Sequence, residues 1–225
     1  MIQALVFDLD DTLYRERDFV ASGYRAVARH IAVNYGCDFK SVFSTMIATL
    51  DAQGRQKVLA AVMERFLRPS VPLNELIDVY RQHSPKIRLY PGYFRLLRNM
   101  ARCYRLGIIT DGLPEVQKRK VRALRLECLM NKIIYTWEYG SEKQKPHPLA
   151  FSLMLDSLRA EPDSVLFVGD NPEKDCRGAH QIGMKYAQVQ PSLPEKCQCK
   201  DEAGEEPEFV IDSLFQLPAI LQELN

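Results

Sequence analysis

The chain has 225 residues, of which 46% are hydrophobic and 26% charged, and its formal net charge is +1. That composition is ordinary for a soluble globular protein, and the near-zero charge gives no long-range field to draw in nucleic acid or an anionic membrane. No apolar stretch approaches the roughly 20 residues of a bilayer-spanning helix, and the length allows one domain with a sizeable insertion.

Residues 2–7 read as a short buried strand, apolar and stopped by acids. The stretch before Asp8 is not a basic leader followed by an apolar core, so no signal peptide is expected. From about Arg17 to His83 apolar residues recur at three- and four-residue spacing, as in Val20, Tyr24, Val27, Ala28 and Ile31. Stretches 41–50, 55–66 and 73–83 behave alike, which predicts a small bundle of four helices. Pro69, Pro72 and Pro85 punctuate its later part. After Pro91 the pattern alternates. Helix is expected at 92–101, 114–124, 148–158, 172–182 and 214–224. Strands are expected at 105–110, 132–137, 164–169 and 184–189, with a short one at 209–211. Continuous apolar strands alternating with helices predict an α/β fold, a Rossmann-like parallel sheet core with helices on both faces. The first strand belongs to that sheet. Residues 14–88 are therefore an inserted helical bundle, and the core is discontinuous, 1–13 and 89–225.

Several features carry plainer readings. Lys118-Arg119-Lys120 reads as a solvated helix face rather than a nucleic-acid patch. The six cysteines (37, 103, 128, 176, 197 and 199) are too sparse for a disulfide scaffold, so a reduced cytoplasmic setting is expected. Cys197 and Cys199 alone are too few for zinc, which wants four ligands. Residues 190–208, rich in Pro, Glu and Lys, are expected to form an exposed loop. Histidines 30, 83, 147 and 180 show no ligand spacing, and His147 reads as a loop residue. Nothing in the sequence requires more than a monomer or weak homodimer.

Three expected strands end in the same kind of residue: Asp8, Asp10 and Thr12 after the first, Thr110-Asp111-Gly112 after the second, and Gly169-Asp170-Asn171 after another, with Asp175 beyond. In open parallel sheets ligands bind at the carboxyl ends of strands. Period-two geometry puts Asp8 and Asp10 on one side and Leu9 and Asp11 on the other. With Asp170 and Asp175 that makes four carboxylates in one crevice. Such a set raises its own pKa values unless a cation offsets it, and oxygen ligands suit hard Mg²⁺. Lys145, in "EKQKPHP" after the 132–137 run, supplies positive charge, with Lys143 as a nearby rival. Carboxylates, a cation, a lysine and a hydroxyl together suit a phosphoryl group.

The order D8-L-D10-D-T12, then Thr110, then Lys145-Pro, then G169-D170-N-P-E-K-D175 resembles the four signature motifs of the haloacid dehalogenase superfamily. The match spans most of the chain. The helical insert after the first motif resembles the helical cap of that superfamily's first cap class. The resemblance implies that Asp8 attacks phosphorus, forms an aspartyl phosphate and binds Mg²⁺. It implies that Asp10 is the general acid–base and ligates the metal through its backbone carbonyl. Thr110 and Lys145 are implied to hold phosphate oxygens, Asp170 to ligate the metal, and Asp175 to bind the metal or orient its waters. Thr12 is expected to fix the loop after the strand. Asp111 and Asn171 are candidates to aim donors at phosphate. Tyr14, Arg15 and Arg17 open the insert, within reach of either substrate or a plain hinge role.

Asp10 also narrows the reaction. In that superfamily dehalogenases and phosphonatases lack a carboxylate at the second acidic position. An alkoxide leaving group needs a proton, and halide does not. The expectation is a Mg-dependent phosphomonoesterase acting on a small phosphorylated metabolite, a sugar or nucleotide phosphate, because a helical lid closing over the crevice encloses something small. A sugar phosphomutase on the same site is the alternative. A non-catalytic phosphate-ligand-binding protein of the same fold is the other, and it is expected to have lost a motif residue.

Overall fold

The structure is a computed structural model and describes residues 1–67, 71–190 and 206–225. In chain order its elements are β1 (Ala4–Phe7), α1 (Glu16–Tyr35), α2 (Phe39–Gln53), α3 (Arg55–Phe66), α4 (Leu73–Gln82), α5 (Tyr93–Met100), β2 (Arg105–Thr110) and α6 (Pro114–Ala123). There follow β3 (Lys132–Tyr135), α7 (Leu149–Leu158), β4 (Val165–Gly169), a π-helical turn at Pro172–Cys176, α8 (Arg177–His180), β5 (Lys185–Val189), β6 (Phe209–Ile211) and α9 (Leu217–Glu223). The chain divides into two compact units, residues 1–15 with 88–225, and residues 16–87.

In the first unit the described strands form one parallel sheet in the order β3-β2-β1-β4-β5-β6. Side chains alternate across it. Ala4, Val6, Ile109, Val165 and Phe167 face a core completed by Ala150, Phe151, Met154 and Leu158 of α7. Leu5, Phe7, Leu106, Ile108, Leu166 and Val168 alternate onto the other face and are equally buried. A sheet buried on both faces explains why its strands read as unbroken apolar runs. The chain leaves β1 toward β2 and β3 on one side and later returns to β4, β5 and β6 on the other. That makes β1 the point where strand order reverses, and a crevice opens at such a point. Phe7 lies in register with Ile108 of β2 and Val168 of β4, so the residues after Phe7 emerge between those two strand ends.

The second unit is helical. Val20, Tyr24, Val27, Ala28 and Ile31 form one stripe of α1 and pack with Val42, Met46, Val58, Val62 and Leu76 of the next three helices. Asp38 caps α2 by accepting from Ser41 N–H at 2.8 Å, which satisfies an otherwise orphaned donor.

The expected 172–182 helix forms differently: a π turn precedes only four α-helical residues. Likewise the 132–137 run is strand only to Tyr135 and then coils as 3₁₀ helix. Among the cysteines, 37, 103, 128 and 176 are free thiols. Cys197, Cys199, Pro69 and most of the 190–208 segment lie outside the described residues. No helix among those described is long and apolar enough to cross a membrane.

Candidate active site

Asp8 is the first residue past β1, and its N–H still donates to Val168 O at 2.9 Å, so the sheet fixes its backbone. Two residues on, the chain turns. Asp11 adopts a left-handed backbone with φ 55°, which aspartate tolerates better than most side chains, and Leu13 N–H closes back onto Leu9 O at 3.1 Å. The strand itself ends at Phe7, so the two acids expected on one side of an extended chain lie just beyond it. The two carboxylates meet different partners.

Asp8 faces Lys145. The Lys145 Nζ lies 2.5 Å from Asp8 Oδ1 and 2.7 Å from Asp175 Oδ1, with only 3% of the lysine exposed. Asp175 is fully buried and held from behind, since Asn171 N–H donates to its Oδ2 at 3.1 Å. Asn171 itself caps the π turn through its side chain, accepting from Lys174 N–H, so that side chain serves the turn. Gly169 is required here by packing. A Cβ on it would lie 2.2 Å from Asp175 Oδ2, so only glycine lets that carboxylate sit over the end of β4. Asp170 receives the Thr12 hydroxyl at 3.4 Å. Thr12, expected to fix the loop after the strand, thus ties that loop to a site carboxylate. Tyr186 donates its hydroxyl to Gly169 O at 2.9 Å, and burial beside Asp175 and Asp170 keeps that phenol protonated.

Asp111 works on Lys145 from the other side. Its Oδ1 accepts from Lys145 N–H at 3.0 Å and from the Thr136 hydroxyl at 2.8 Å, and its Oδ2 lies 3.6 Å from Lys174 Nζ. Its carboxylate therefore ties the Lys145 loop to the end of β2, and no donor of its own is aimed from that side chain. Lys143, the rival lysine, lies 3.3 Å from His147 Nε2.

The electrostatics follow from burial. Desolvation pushes Asp8 well above the usual carboxylate range. Lys145 opposes this, while Asp175, Asp170 and Asp10 add to it. Burial works against the Lys145 ammonium, but Asp175, Asp8 and Asp111 more than offset it and hold its pKa well above the ordinary lysine value. Asp8, Asp170 and Asp175 each offer a carboxylate oxygen, and these atoms lie within 4.8 Å of one another. Asp8 and Asp175 share one buried ammonium, Asp170 brings a third carboxylate beside them, and the donors are all oxygen. That set fits a hard divalent cation.

The Asp10 carboxylate is not part of this group. Lys120 Nζ lies 2.8 Å from both of its oxygens, Gln117 Nε2 donates to Oδ2 at 3.0 Å, and the Tyr14 hydroxyl donates to Oδ1. Burial works to raise its pKa, but Lys120, Tyr14 and Gln117 together hold it below the usual carboxylate value. Gln117 also donates to Thr110 Oγ1 at 2.5 Å, so Thr110 and Asp10 share one amide. The expectation of four clustered carboxylates is corrected to three, with the fourth held by a lysine of its own.

Two further expectations change. Lys120, read as part of a solvated run, is 4% exposed. Tyr14, read as a residue opening the insert, is fully buried in the sheet-containing unit. Gln117 and Lys120 were missed as site residues. The available signal was helix phase: Gln117, Lys120, Val121 and Leu124 fall at i, i+3, i+4 and i+7, and the two apolar members mark the inward face.

Residues 5–189 match the family model described as haloacid dehalogenase-like hydrolase. The chain is 28% identical over its whole length to a glyceraldehyde 3-phosphate phosphatase of Methanocaldococcus jannaschii, covering 99% of that protein. It is 30% identical to a glyceraldehyde 3-phosphate phosphatase of Pyrococcus abyssi over 82% of this chain and 80% of that one. A 2-haloacid dehalogenase of Pseudomonas syringae shares the fold, with a TM-score of 0.70 and 23% identity over all of both chains.

Proposed function

The chain belongs to the haloacid dehalogenase-like hydrolases, and on that premise we propose that it is a magnesium-dependent phosphatase of small phosphorylated metabolites. The observation that carries this reading is the buried contact of Lys145 with Asp8 and Asp175 beside Asp170. A carboxylate fixed at a strand end, with a lysine against it, is poised to meet an electrophile whose oxygens that lysine also binds.

In this reading Asp8 Oδ attacks phosphorus and the ester oxygen leaves with the bonding pair, taking a proton from Asp10. Water then attacks the aspartyl phosphate, gives its proton to Asp10, and Asp8 leaves as carboxylate. Thr110 holds a phosphate oxygen: its own oxygen accepts from Gln117, which leaves the hydroxyl hydrogen to be donated. Lys145, kept charged by its neighbours, offsets the phosphoryl charge. Asp8, Asp170 and Asp175, with the Asp10 backbone carbonyl, would hold Mg²⁺, which supplies Lewis-acid stabilisation of charge on the transferring group. The two phosphatase relatives make a three-carbon sugar phosphate the first substrate to try.

The test is phosphate release from glyceraldehyde 3-phosphate, p-nitrophenyl phosphate and a panel of sugar and nucleotide phosphates, with Mg²⁺ and with EDTA. Release that needs Mg²⁺ and falls on the order of a thousandfold or more in Asp8→Asn is expected. Isomerised sugar phosphate without free phosphate would mark a mutase instead. Binding without turnover across the panel would mark a non-catalytic protein.

A further inference from the structure

Resting on the reading of Asp10 as acid–base, we infer that Lys120 and Gln117 are positioning residues that fix the Asp10 carboxylate for the water-attack half of the reaction. Lys120 Nζ stands 2.8 Å from each Asp10 oxygen, so it spans the carboxylate edge and resists its rotation. Gln117 Nε2 is the bridge between Asp10 Oδ2, at 3.0 Å, and Thr110 Oγ1, at 2.5 Å. A carboxylate can only accept, so the amide end facing it is the NH₂ group, and its two hydrogens serve the two partners. That single amide sets the spacing between the side chain proposed to handle the proton and the hydroxyl proposed to hold phosphate. Tyr14 adds a donor to Asp10 Oδ1.

Both Asp10 oxygens thus face donors, and one of those donors is an ammonium. Three donors fix the carboxylate in one orientation, as a group that must receive a proton at a set place requires. In that half-reaction the water oxygen bonds to phosphorus, the bond from phosphorus to Asp8 breaks with its electron pair going to Asp8, and the water proton passes to Asp10. Lys120 is almost wholly buried, where an ammonium is costly without a partner, and both positions lie on one face of α6. A purely structural role, pinning α6 against the sheet, predicts lost stability with no change in which step limits turnover.

The experiment is pre-steady-state hydrolysis of p-nitrophenyl phosphate with Mg²⁺, whose leaving group needs little help from an acid. Lys120→Met is expected to show a burst of about one p-nitrophenolate per active site, then turnover about a hundredfold slower, with KM falling in parallel. Lys120→Arg should restore turnover to within about tenfold and abolish the burst, since it returns a cation. If Lys120→Met does not fold, Lys120→Gln carries the same expectation. Normal turnover in the Lys120 variants, or slow turnover with no burst, overturns the inference. Asp10→Asn is the comparison. If it turns over normally, the reading of Asp10 itself fails. If it stalls while Lys120→Met turns over normally, that reading stands and only the role of Lys120 falls.

Discussion

Lys145 sits between two carboxylates, 2.5 Å from one and 2.7 Å from the other, with almost none of it in water. Removing one partner of a buried ion pair leaves uncompensated charge and typically costs about 3–5 kcal/mol. Lys145→Met should therefore lower the unfolding free energy by about 3 kcal/mol in EDTA, read by urea titration at pH 7. An unchanged midpoint would show that the carboxylates are relieved in some other way. Asp10 gives a test by pH. Its carboxyl is held below the ordinary value, so the native state binds fewer protons there than the unfolded chain. Its contribution is fully present above the unfolded value of about 3.9 and is lost as pH falls through the lower folded value. Asp10→Asn should cost about 2 kcal/mol at pH 7, and the gap to wild type should begin to narrow as pH falls below about 4. A gap as large at pH 3 as at pH 7 would contradict the depressed pKa. At this scale the motif acids, Thr110 and Lys145 were legible, because strand ends in a parallel sheet are where such residues gather. Lys120 was not. A lysine in a run of basic residues looks solvated until its place on the helix face is counted.

Between elements, close packing leaves little slack. Gly169 ends β4 directly under the Asp175 carboxylate. Gly169→Ala should leave the fold intact, displace Asp175, and reduce turnover by about tenfold to a hundredfold, as misplacement of a positioning group does. Full activity with unchanged metal affinity would refute the packing argument. Gly178 on α8 makes a control of the opposite kind, since an added Cβ would lie 2.3 Å from the ring of buried Phe151. Gly178→Ala should cost about 1–3 kcal/mol by overpacking, with turnover per folded molecule preserved. Element boundaries were mostly legible from apolar period and proline. The 172–182 stretch was less so, because its helical residues do not reveal that the first turn widens to bring Asp175 beside Lys145.

Across the whole molecule, the candidate metal ligands join residue 8 to residues 170 and 175 through the ends of β1 and β4. A cation bound there stabilises only the folded chain. At about a hundredfold excess over its dissociation constant, Mg²⁺ should add about 2.7 kcal/mol, a rise in Tm of roughly 5–10 °C for a chain of this size. Asp170→Asn should abolish most of that rise in a thermal-shift series. An equal rise in the variant would place the ion elsewhere.

The sequence by itself determined the sheet, the helical insertion and the residues that end each strand, because burial on both faces writes apolar runs and charge is tolerated only where those runs stop. It also carried the resemblance that orders the four motifs. Only the tertiary structure decided which acid faces which base. Asp8 meets Lys145 and Asp10 meets Lys120, partners 137 and 110 residues away. Such pairings depend on strand order and helix phase together, and a one-dimensional pattern fixes neither the turn after Phe7 nor the face that α6 presents.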